Sequence, residues 1–411
     1  MKVKFYTLGC KVNQYETQAL REKFLSLGYE DTSGKVDLYI INTCTVTAQA
    51  DAKSRQAILR AKRENPQAKI VVTGCLAKLD ADYFKNLNVD YIIPQSQKAS
   101  LTDIIFAENM AEKDIWSLKI NRFFNQRAFL KIQDGCDSFC SFCKIPHLRG
   151  KSKSRKKDLI LEEIERLSCL HKEVVLCGIN LALWGKDLTP PLRIEELIEE
   201  ALKIDSLGRL RLSSLEPSLI SEGLLSFLKN PKFCPHLHLP FQSGDDDILA
   251  AMNKKERVAL YEDTVARARQ INPLVAISCD IMLGFPGEKE KNFKNTIDFL
   301  ERTKPMRMHI FTFSPRNKTP LYKAKCIAPK IINSRRKFLT QMAKKFTQEY
   351  REKFLGKTLQ MVAEEKENGF ISGYTENYLK VYLKAKVNLG DIFAVKVDKI
   401  EAEGVFVSIN K

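Results

Sequence analysis

The stretch that decides the fold of this chain reads Gly135-Cys136-Asp137-Ser138-Phe139-Cys140-Ser141-Phe142-Cys143. It follows an apolar, β-rich run at residues 129–133, so its three cysteines lie on a loop at the end of a strand. Thiolates are the soft ligands that select zinc or iron–sulfur clusters. Folds built from βα units place their chemistry on such loops. The sequence therefore predicts a βα fold with a metal centre at this loop.

Strand and helix patterns alternate on both sides of this loop. Residues 1–107 carry short apolar runs separated by helical patterns, the first of them at 16–27, which is typical of a parallel sheet covered on both faces. From residue 129 onward, six rounds of strand and helix follow, and such units build an open doubly wound sheet or a barrel. Six units are too few for a full eight-stranded barrel, so we expect an open-sided partial barrel.

The sequence pattern changes after a long basic helical segment at residues 330–354. Gly356 opens a segment of five short strand patterns with turn residues between them, which predicts a small β-barrel. The predicted fold class is therefore α/β with three domains and a polar linker at 108–122. These domains are an N-terminal parallel-sheet α/β domain at 1–107, a central partial (βα)6 TIM-like barrel at 122–353, and a C-terminal small β-barrel at 355–411.

The bulk composition favours a cytoplasmic protein with a polyanionic partner. The 411 residues carry 67 Lys/Arg against 50 Asp/Glu, a net charge of +17. No run approaches the roughly 20 apolar residues that span a bilayer, and no secretory leader pattern is present. In a reducing compartment the 11 cysteines point to metal or redox chemistry rather than to disulfides. Nucleic acid is the first candidate partner, and a generic basic surface is the alternative.

The positive charge is concentrated in two stretches. Residues 144–157 carry seven Lys/Arg and no acid, and residues 302–353 carry fifteen Lys/Arg against two acids. Such clustering is typical of a surface that binds phosphates, and the part of the first stretch at 151–157 is placed to guide RNA toward the cysteine loop.

The C-terminal segment differs, because residues 355–411 carry eight basic and eight acidic residues and no net charge. Bulk attraction of RNA would therefore come from residues 302–353. Any RNA contact of the C-terminal segment would depend on local patterning or on aromatic residues, namely Tyr374, Tyr378 and Tyr382.

A second set of cysteines follows the strands of the N-terminal domain. Cys10, Cys44 and Cys75 each come directly after one of three proposed parallel strands. Because parallel strands end at one edge of a sheet, we expect the three thiols to meet there and to hold a second metal cluster. Gly9 and Gly74 would let the backbone approach that cluster closely. Cysteine is also a common buried core residue, but three equivalent placements favour a shared site.

Each set of three thiols leaves one coordination position open. For the first set, one alternative is a Cys3His zinc site completed by His147. The spacing Cys136-x-x-x-Cys140-x-x-Cys143 resembles that of the radical S-adenosylmethionine superfamily. This resemblance implies that the three thiolates hold a [4Fe–4S] cluster whose fourth iron binds S-adenosylmethionine and cleaves it reductively to a 5′-deoxyadenosyl radical. It favours the cluster over zinc.

The whole chain resembles the methylthiotransferases within that superfamily. The resemblance implies an N-terminal cluster domain, a radical S-adenosylmethionine barrel and a C-terminal TRAM domain. It implies a second [4Fe–4S] cluster on Cys10, Cys44 and Cys75 that supplies or carries sulfur, with S-adenosylmethionine as both radical source and methyl donor. The segments that carry the resemblance are TLGCKVNQYE at 7–16, NTCTVT at 42–47, SSLEP at 213–217, HLHLPFQSG at 236–244 and DIMLGFPGE at 280–288.

The first two of these segments look most like the branch of the family that acts on N6-threonylcarbamoyladenosine. That resemblance implies a 2-methylthio product at position 37 of tRNA, beside the anticodon. The partner would be the tRNA anticodon loop rather than DNA or a membrane, together with an electron donor and a sulfur source that the sequence does not identify. The alternatives are the same chemistry on N6-isopentenyladenosine or on a ribosomal-protein aspartate, and a non-catalytic iron–sulfur RNA-binding protein.

Two polar residues follow the third and fourth strands of the predicted barrel. Glu216 and Gln242 are placed to line a pocket for S-adenosylmethionine, although a capping or loop-structuring role fits the same positions. Lys254 and Glu256 stand where the family usually has an arginine and a tyrosine. Because lysine lacks the bidentate fork of arginine, we expect local substrate or cofactor contacts to differ there.

Overall fold

The N-terminal part of the chain folds around a five-stranded parallel sheet with strand order β2-β1-β3-β4-β5. A computed structural model describes residues 1–78, 84, 86–106, 113–402 and 404–409. The strands are β1 Lys2–Thr7, β2 Glu30–Asp31, β3 Leu38–Thr43, β4 Lys69–Gly74 and β5 Tyr91–Pro94. The α-helices are Lys11–Ser26, Ala48–Glu64 and Leu101–Phe106. The predicted parallel sheet is confirmed. The edge strand β2 was not predicted, because its two acidic residues do not form an apolar run.

The central sheet strand β3 is buried at all six positions, which explains its continuous apolar pattern. The first helix begins at Lys11, five residues before the predicted start. In its first turn Asn13 is buried, and its side chain donates to the carbonyl oxygens of Leu8 and Thr43. Residue 107, the predicted end of this domain, and residues 108–112 of the predicted linker lie outside the described residues.

The central part contains six parallel strands in two sheets of three. They are β6 Arg127–Lys131, β9 Glu173–Cys177, β10 Arg209–Leu212, β11 His236–Gln242, β12 Ala276–Leu283 and β13 Arg307–Thr312. The first sheet has the order β10-β9-β6 and the second β11-β12-β13. Isolated parallel bridges, Leu210 to Phe233 and Ser214 to His238, connect the two. The strands thus run side by side in chain order, and their carboxyl ends share one face of the molecule.

Helices alternate with these strands and cover the sheets. The α-helices of this part are Ile145–Arg149, Lys157–Ser168, Ile194–Leu202, Glu222–Ser226, Asp246–Ala251, Val258–Ile271, Glu290–Thr303 and Pro329–Glu352. Short 3-10 helices in the chain are Gln95–Ser100, Ile115–Ser117, Leu181–Leu183, Pro217–Leu219 and Phe227–Lys229. A two-stranded ribbon, β7 Gln133–Asp134 with β8 Lys153–Ser154, borders the cysteine loop. Among the described residues, no helix combines the length and apolar character that crossing a membrane requires.

The C-terminal part is a closed five-stranded barrel with strand order β14-β15-β16-β18-β17. Its strands are β14 Thr358–Glu367, β15 Phe370–Thr375, β16 Lys380–Leu383, β17 Ile392–Ile400 and β18 Val405–Ile409. The pairs are antiparallel except for β16 with β18. Closure pairs every edge, which lets a small antiparallel sheet stand without an exposed edge strand.

The C-terminal barrel packs against the amino-terminal ends of the central strands. Glu173, at the start of β9, is fully buried and pairs with Arg209 at 2.5 Å and Arg211 at 2.7 Å. The two arginines also donate to backbone carbonyl oxygens of the C-terminal barrel, including those of Tyr374 and Thr375. This barrel therefore covers the end of the central domain opposite to the cysteine loop.

Two aromatic residues considered for RNA contact lie in this interface. Tyr378 stacks on His236 with ring centroids 4.5 Å apart, and the Arg211 guanidinium lies 4.9 Å from the Tyr378 ring. Tyr374 stacks on Tyr378 in turn. Both rings therefore contribute to the contact between the two domains, and their contact with RNA stays a prediction. Tyr382 packs with aromatic rings of its own barrel.

Candidate functional site

The first cysteine triad, Cys136, Cys140 and Cys143, lines a cavity of about 470 Å³ at the carboxyl ends of the central strands. Backbone hydrogen bonds fix its loop: Cys136 N–H donates to the Gly150 carbonyl at 3.1 Å, and Cys143 N–H donates to the Cys140 carbonyl at 2.9 Å. Burial raises the pKa of Cys140 to about 11 and that of Cys143 to about 12. All 11 cysteines are free thiols. A metal bound here would displace protons from these thiols.

The second triad, Cys10, Cys44 and Cys75, lies at the carboxyl ends of β1, β3 and β4, which are neighbours in the sheet. The thiols are close enough for Cys75 and Cys10 to add to the effect of burial, which raises the pKa of Cys44 to about 12. Cys10 is also the N-cap of the helix Lys11–Ser26, and burial raises the pKa of its thiol although the nearby Arg149 guanidinium opposes this rise. The structure thus brings together the three thiols that the strand ends predicted.

The glycines beside the second triad have no room for a side chain. A Cβ added to Gly9 would lie 2.8 Å from the Cys44 sulfur, and one added to Gly74 would lie 2.4 Å from the Thr43 carbonyl oxygen. Both glycines have positive φ, +96° and +94°. The chain therefore turns tightly after each strand and leaves the space in front of the thiols to a ligand.

The two triads face each other across the domain boundary. Burial is the main cause of the raised pKa of Cys143, and the nearby Cys75 thiol adds to it. Val46 and Thr47, which follow Cys44, line the same cavity as the first triad. The cavity therefore extends from the first triad to the N-terminal domain, two residues beyond Cys44 of the second triad.

Neither triad has the compact geometry of a single zinc ion. With Zn–S bonds of about 2.3 Å, a tetrahedral site holds its sulfurs roughly 3.8 Å apart. Among the described residues, the group whose ligand atoms all lie within 4.8 Å of one another is His238, Asp280 and His309, and it includes neither the cysteines nor His147. The three sulfurs of neither triad therefore lie within that distance of one another.

A buried network of five charges joins the two domains behind the triads. Arg149 donates to Asp134 at 2.9 Å, to Glu16 at 3.0 Å and to the Asn13 side-chain oxygen at 2.6 Å. Lys131 and Lys98 pair with the same carboxylates. Burial opposes ionisation of Glu16, but Arg149 and the two lysines hold its pKa well below the usual range. Three cations against two carboxylates leave one positive charge in excess.

That excess charge lies beside the second triad. Burial disfavours the charged form of Arg149, yet Asp134 and the nearby thiols of Cys75 and Cys10 raise its pKa. The buried Nε of Arg149 has no hydrogen-bond partner in the described part of the chain. The network therefore offers positive charge and one unused donor near the place where thiolates are expected.

Both predicted pocket residues, Glu216 and Gln242, line the cavity. The Glu216 carboxylate accepts hydrogen bonds from Asn180 at 2.5 Å, Ser138 at 3.3 Å and Lys254 at 3.3 Å. The side-chain oxygens of Gln242 and Asn180 are buried and find no donor within the described residues. Two free acceptors in one cavity suit a ligand that carries N–H groups. Asn180 lies three residues beyond β9, and its position after a strand end was the available signal.

The two departures from the family pattern form one unit. Lys254 Nζ lies 3.3 Å from a Glu216 oxygen and 3.5 Å from a Glu256 oxygen. Burial and the neighbouring Glu216 raise the pKa of Glu256. The lysine therefore neutralises carboxylates at the cavity wall, and Glu256 is present as its second partner.

Asp280 lines the same cavity and pairs with two histidines, His238 and His309, that are not part of its lining. Oxygens of Asp280 lie 3.2 Å from His238 Nε2 and 3.2 Å from His309 Nδ1, and Ser278 holds the other His238 nitrogen. Burial opposes ionisation of Asp280, but these hydrogen bonds hold its pKa well below the usual range. Asp280 thus offers the cavity an ionised acceptor. Sequence reasoning missed this group because strand register aligns Asp280 with His309.

The basic stretch at 144–157 is only partly exposed. Arg149 belongs to the buried network, and Arg155 is fully buried and pairs with Glu163. The expectation that residues 151–157 as a whole guide phosphates is therefore wrong for Arg155.

The second basic stretch is mostly exposed, but Arg316 and Arg335 are buried and ion-paired. Arg336 on the helix Pro329–Glu352 bonds Thr312, which lines the cavity, so this surface adjoins the cavity. Within residues 302–353, the exposed lysines that form no ion pair with a described residue are Lys318, Lys323, Lys325, Lys330, Lys337, Lys344 and Lys353.

The chain matches two known families and has full-length relatives. Residues 2–93 match the uncharacterized protein family UPF0004, and residues 130–300 match the radical SAM superfamily. The chain is 36% identical to the threonylcarbamoyladenosine tRNA methylthiotransferase MtaB of Chlamydia pneumoniae, over 98% of this chain and 96% of that protein. The chain belongs to the radical SAM methylthiotransferase family. The tRNA-2-methylthio-N(6)-dimethylallyladenosine synthase of Aquifex aeolicus is 31% identical, over 97% of both chains.

The fold of this methylthiotransferase is similar to that of more distant radical SAM enzymes. The solved structure of the radical S-adenosylmethionine methyltransferase TsrM from Kitasatospora setae, with cobalamin and a [4Fe-4S] cluster bound, superposes with a TM-score of 0.59. It covers 78% of this chain and 77% of that one at 13% identity, so the likeness is one of fold. Family membership makes this chain an enzyme that transfers a sulfur-containing group and implies an iron–sulfur cluster and S-adenosylmethionine.

Two cations of the methylthiotransferase cavity carried no sequence signal of their own. Arg316 donates to the Thr45 carbonyl at 2.8 Å and pairs with Asp51 at 2.5 Å, which links the central domain to the N-terminal domain. Lys144 follows the last cysteine of the first triad and also lines the cavity. Burial and the nearby Arg316 guanidinium lower the pKa of Lys144 to about 8.

Proposed function

We propose that this methylthiotransferase converts N6-threonylcarbamoyladenosine at position 37 of tRNA, beside the anticodon, to its 2-methylthio derivative. The observation that carries the proposal is the shared cavity, which is lined by Cys136, Cys140 and Cys143 from one domain and by Val46 and Thr47 from the other. A base in this cavity would reach both thiol sets. The 36% identical relatives are named for the threonylcarbamoyl substrate, and those named for the dimethylallyl substrate reach 31%.

We infer that each thiol triad holds one [4Fe–4S] cluster. The donor chemistry fits, because each set offers three free thiols and no fourth cysteine, which leaves one iron open to a ligand. When bound, the first cluster and S-adenosylmethionine supply the radical that activates the C–H bond. S-adenosylmethionine also supplies the methyl group, and the second cluster supplies sulfur. Arg149 and its network offset the negative charge of the thiolates Cys10 and Cys75.

The polar residues of the cavity would hold S-adenosylmethionine. Glu216 offers an anionic acceptor, and Gln242 and Asn180 offer the unused side-chain oxygens described above. S-adenosylmethionine carries an amino group on its methionine part and another on its adenine ring. The three acceptors suit these donors, and the Ser138 hydroxyl and the Lys254 ammonium keep the Glu216 carboxylate oriented and ionised.

The exposed lysines of the second basic stretch would bind tRNA phosphates next to the cavity. We also infer that the six central strands form the partial barrel of the superfamily and that the C-terminal barrel is a TRAM domain. The corresponding domain limits are 1–107, 122–353 and 355–411. These assignments agree with the strand order and barrel closure described above.

The test of the substrate is mass spectrometry of tRNA nucleosides from cells with and without this gene. Deletion is expected to abolish 2-methylthio-N6-threonylcarbamoyladenosine and to accumulate its precursor, and a plasmid copy restores the product. Unchanged product in the deletion strain refutes the proposal. Loss of the 2-methylthio-dimethylallyl nucleoside instead would assign the first alternative substrate, and loss of a mass increment on a ribosomal protein would assign the second.

The test of the second cluster is the iron content of purified, reconstituted protein. Replacing Cys10, Cys44 and Cys75 by alanine is expected to remove half of the iron and to leave cleavage of S-adenosylmethionine by the first cluster intact. Cys326→Ala removes an exposed cysteine outside both triads and serves as the matched control with full iron. Full iron in the triple variant would eliminate the second cluster.

A further inference from the structure

One of the cations that line the cavity forms no ion pair with any described residue. Three cations line it, Lys144, Lys254 and Arg316. Lys254 pairs with Glu216 and Glu256, and Arg316 pairs with Asp51. Lys144 makes no side-chain hydrogen bond or ion pair with any residue that the structure describes, although it is only 8% exposed.

The surroundings of Lys144 favour an anion. Aromatic and aliphatic side chains, including Phe142 and Ile145, form much of the wall next to it. The nearest charged groups are the cations of Arg316 and Lys318 and the carboxylate of Asp51. Asp51 is already bound to Arg316, so these four side chains carry two positive charges in excess. The ammonium has no partner among the described residues and opens into the cavity, so an anionic ligand could form a charge-assisted hydrogen bond with it.

The position of Lys144 separates it from the polar residues assigned to S-adenosylmethionine. Arg316, beside Lys144, bonds Thr45 and Asp51 of the N-terminal domain, so the two cations lie on the side of the cavity that faces this domain. The second thiol triad belongs to the same domain. A group held by Lys144 would therefore be part of a molecule lying between the two triads.

We propose that Lys144, with Arg316 beside it, forms the carboxylate-binding subsite that selects the threonylcarbamoyl arm of the substrate. The inference rests on the proposed function, because that arm ends in the free carboxylate of threonine. The dimethylallyl arm, on which the 31% identical relatives are named to act, is apolar and carries no charge. One ammonium thus distinguishes the two modified adenosines by charge, and the apolar wall accommodates the remainder of the arm.

The test compares binding of three synthetic anticodon stem–loops whose target adenosine carries the threonylcarbamoyl group, the dimethylallyl group or no group. All three have the same phosphates, so a preference among them reports the arm alone. Dissociation constants are measured by fluorescence anisotropy on the reconstituted full-length enzyme at one salt concentration. We expect the wild type to bind the threonylcarbamoyl loop about tenfold more tightly than the unmodified loop, as one charge-assisted contact provides.

The variant Lys144→Met removes the charge and keeps the length of the side chain. It is expected to bind all three loops equally, with unchanged iron content and unchanged affinity for S-adenosylmethionine. Lys144→Arg keeps the charge and should restore a preference, which shows that loss in the methionine variant is not misfolding. Lys323→Met, which removes one exposed lysine of the basic surface, should weaken binding of all three loops and preserve their ratio.

Three results with Lys144→Met overturn the inference. A preference retained by Lys144→Met excludes Lys144 as the carboxylate ligand. Equal weakening of all three loops by this variant identifies a phosphate contact instead, and weaker S-adenosylmethionine binding identifies the cofactor carboxylate as the ligand. If the wild type itself shows no preference and cells lacking the gene keep their nucleoside, the proposed function fails. If the wild type prefers the threonylcarbamoyl loop and Lys144→Met keeps this preference, only the role proposed for Lys144 is wrong.

Discussion

Replacing Arg149 by methionine tests whether the buried charge network joins the N-terminal and central domains. Arg149 comes from the central domain and donates to Glu16 and Asn13 of the N-terminal domain and to Asp134 of its own. Its side chain is fully buried. The substitution removes the guanidinium and leaves a side chain of similar length, so the stabilisation that is lost is chiefly electrostatic.

The expected loss in the free energy of unfolding depends on which cations remain beside Glu16 and Asp134. Removing one partner of a buried ion pair destabilises a protein by about 3–5 kcal/mol. Here Lys131 still lies 2.7 Å from Glu16 and 2.6 Å from Asp134, and Lys98 lies 2.5 Å from Glu16, so neither carboxylate is left without a cation. We therefore expect the lower end of that range, about 3 kcal/mol.

The assay is urea unfolding of the iron-free protein, so that cluster loss does not enter the free energy. Arg60→Met is the control, because its side chain is 63% exposed and pairs with Glu64 on the same helix, and it should leave the midpoint unchanged. The double variant Arg149→Met with Glu16→Gln removes a carboxylate together with its cation and should recover part of the loss. A loss of stability below about 1 kcal/mol for Arg149→Met would refute the idea that the buried charge network holds the two domains together.

Two further predictions follow from the geometry. Gly74→Ala forces a Cβ to 2.4 Å from the Thr43 carbonyl oxygen, so it should cost about 2 kcal/mol or more by urea unfolding and should lower iron retention. Gly28→Ala, also at positive φ but in open space, should cost only about 1 kcal/mol and no iron. Burial opposes ionisation of Glu173, but three arginines hold its pKa below the usual value, so its stabilisation is full above about pH 4.5 and is lost as the pH falls. The melting temperature of Glu173→Gln should therefore fall less between neutral and acid pH than that of the wild type. An unchanged dependence of the melting temperature on pH would contradict this role.

The sequence predicted what is local or tied to strand ends. The first triad is a contiguous motif, and the second follows from the rule that parallel strands end at one edge, so Cys10, Cys44 and Cys75 could be grouped before their contacts were known. The helix Val258–Ile271 is predicted at its observed limits, because its apolar periodicity is uninterrupted.

Features that depend on distant partners could not be predicted. Asp280 meets His238 and His309 through the register of three strands, which no sequence spacing fixes. Arg149 reads as a solvated charge because its carboxylate partner Glu16 lies 133 residues away in sequence. Arg155 likewise contacts the Tyr15 hydroxyl, 140 residues away. Tyr378 reads as a free aromatic residue for the same reason, since its contact with His236 crosses a domain boundary.

The attachment of the C-terminal barrel to the far end of the central strands sets a length scale for the substrate. The strands β11 and β12 have seven and eight residues, which at about 3.3 Å per residue separate the two ends by roughly 25 Å. An RNA that touches both the cavity and the C-terminal barrel must reach across this distance, so a substrate much shorter than roughly 25 Å would contact only one of the two.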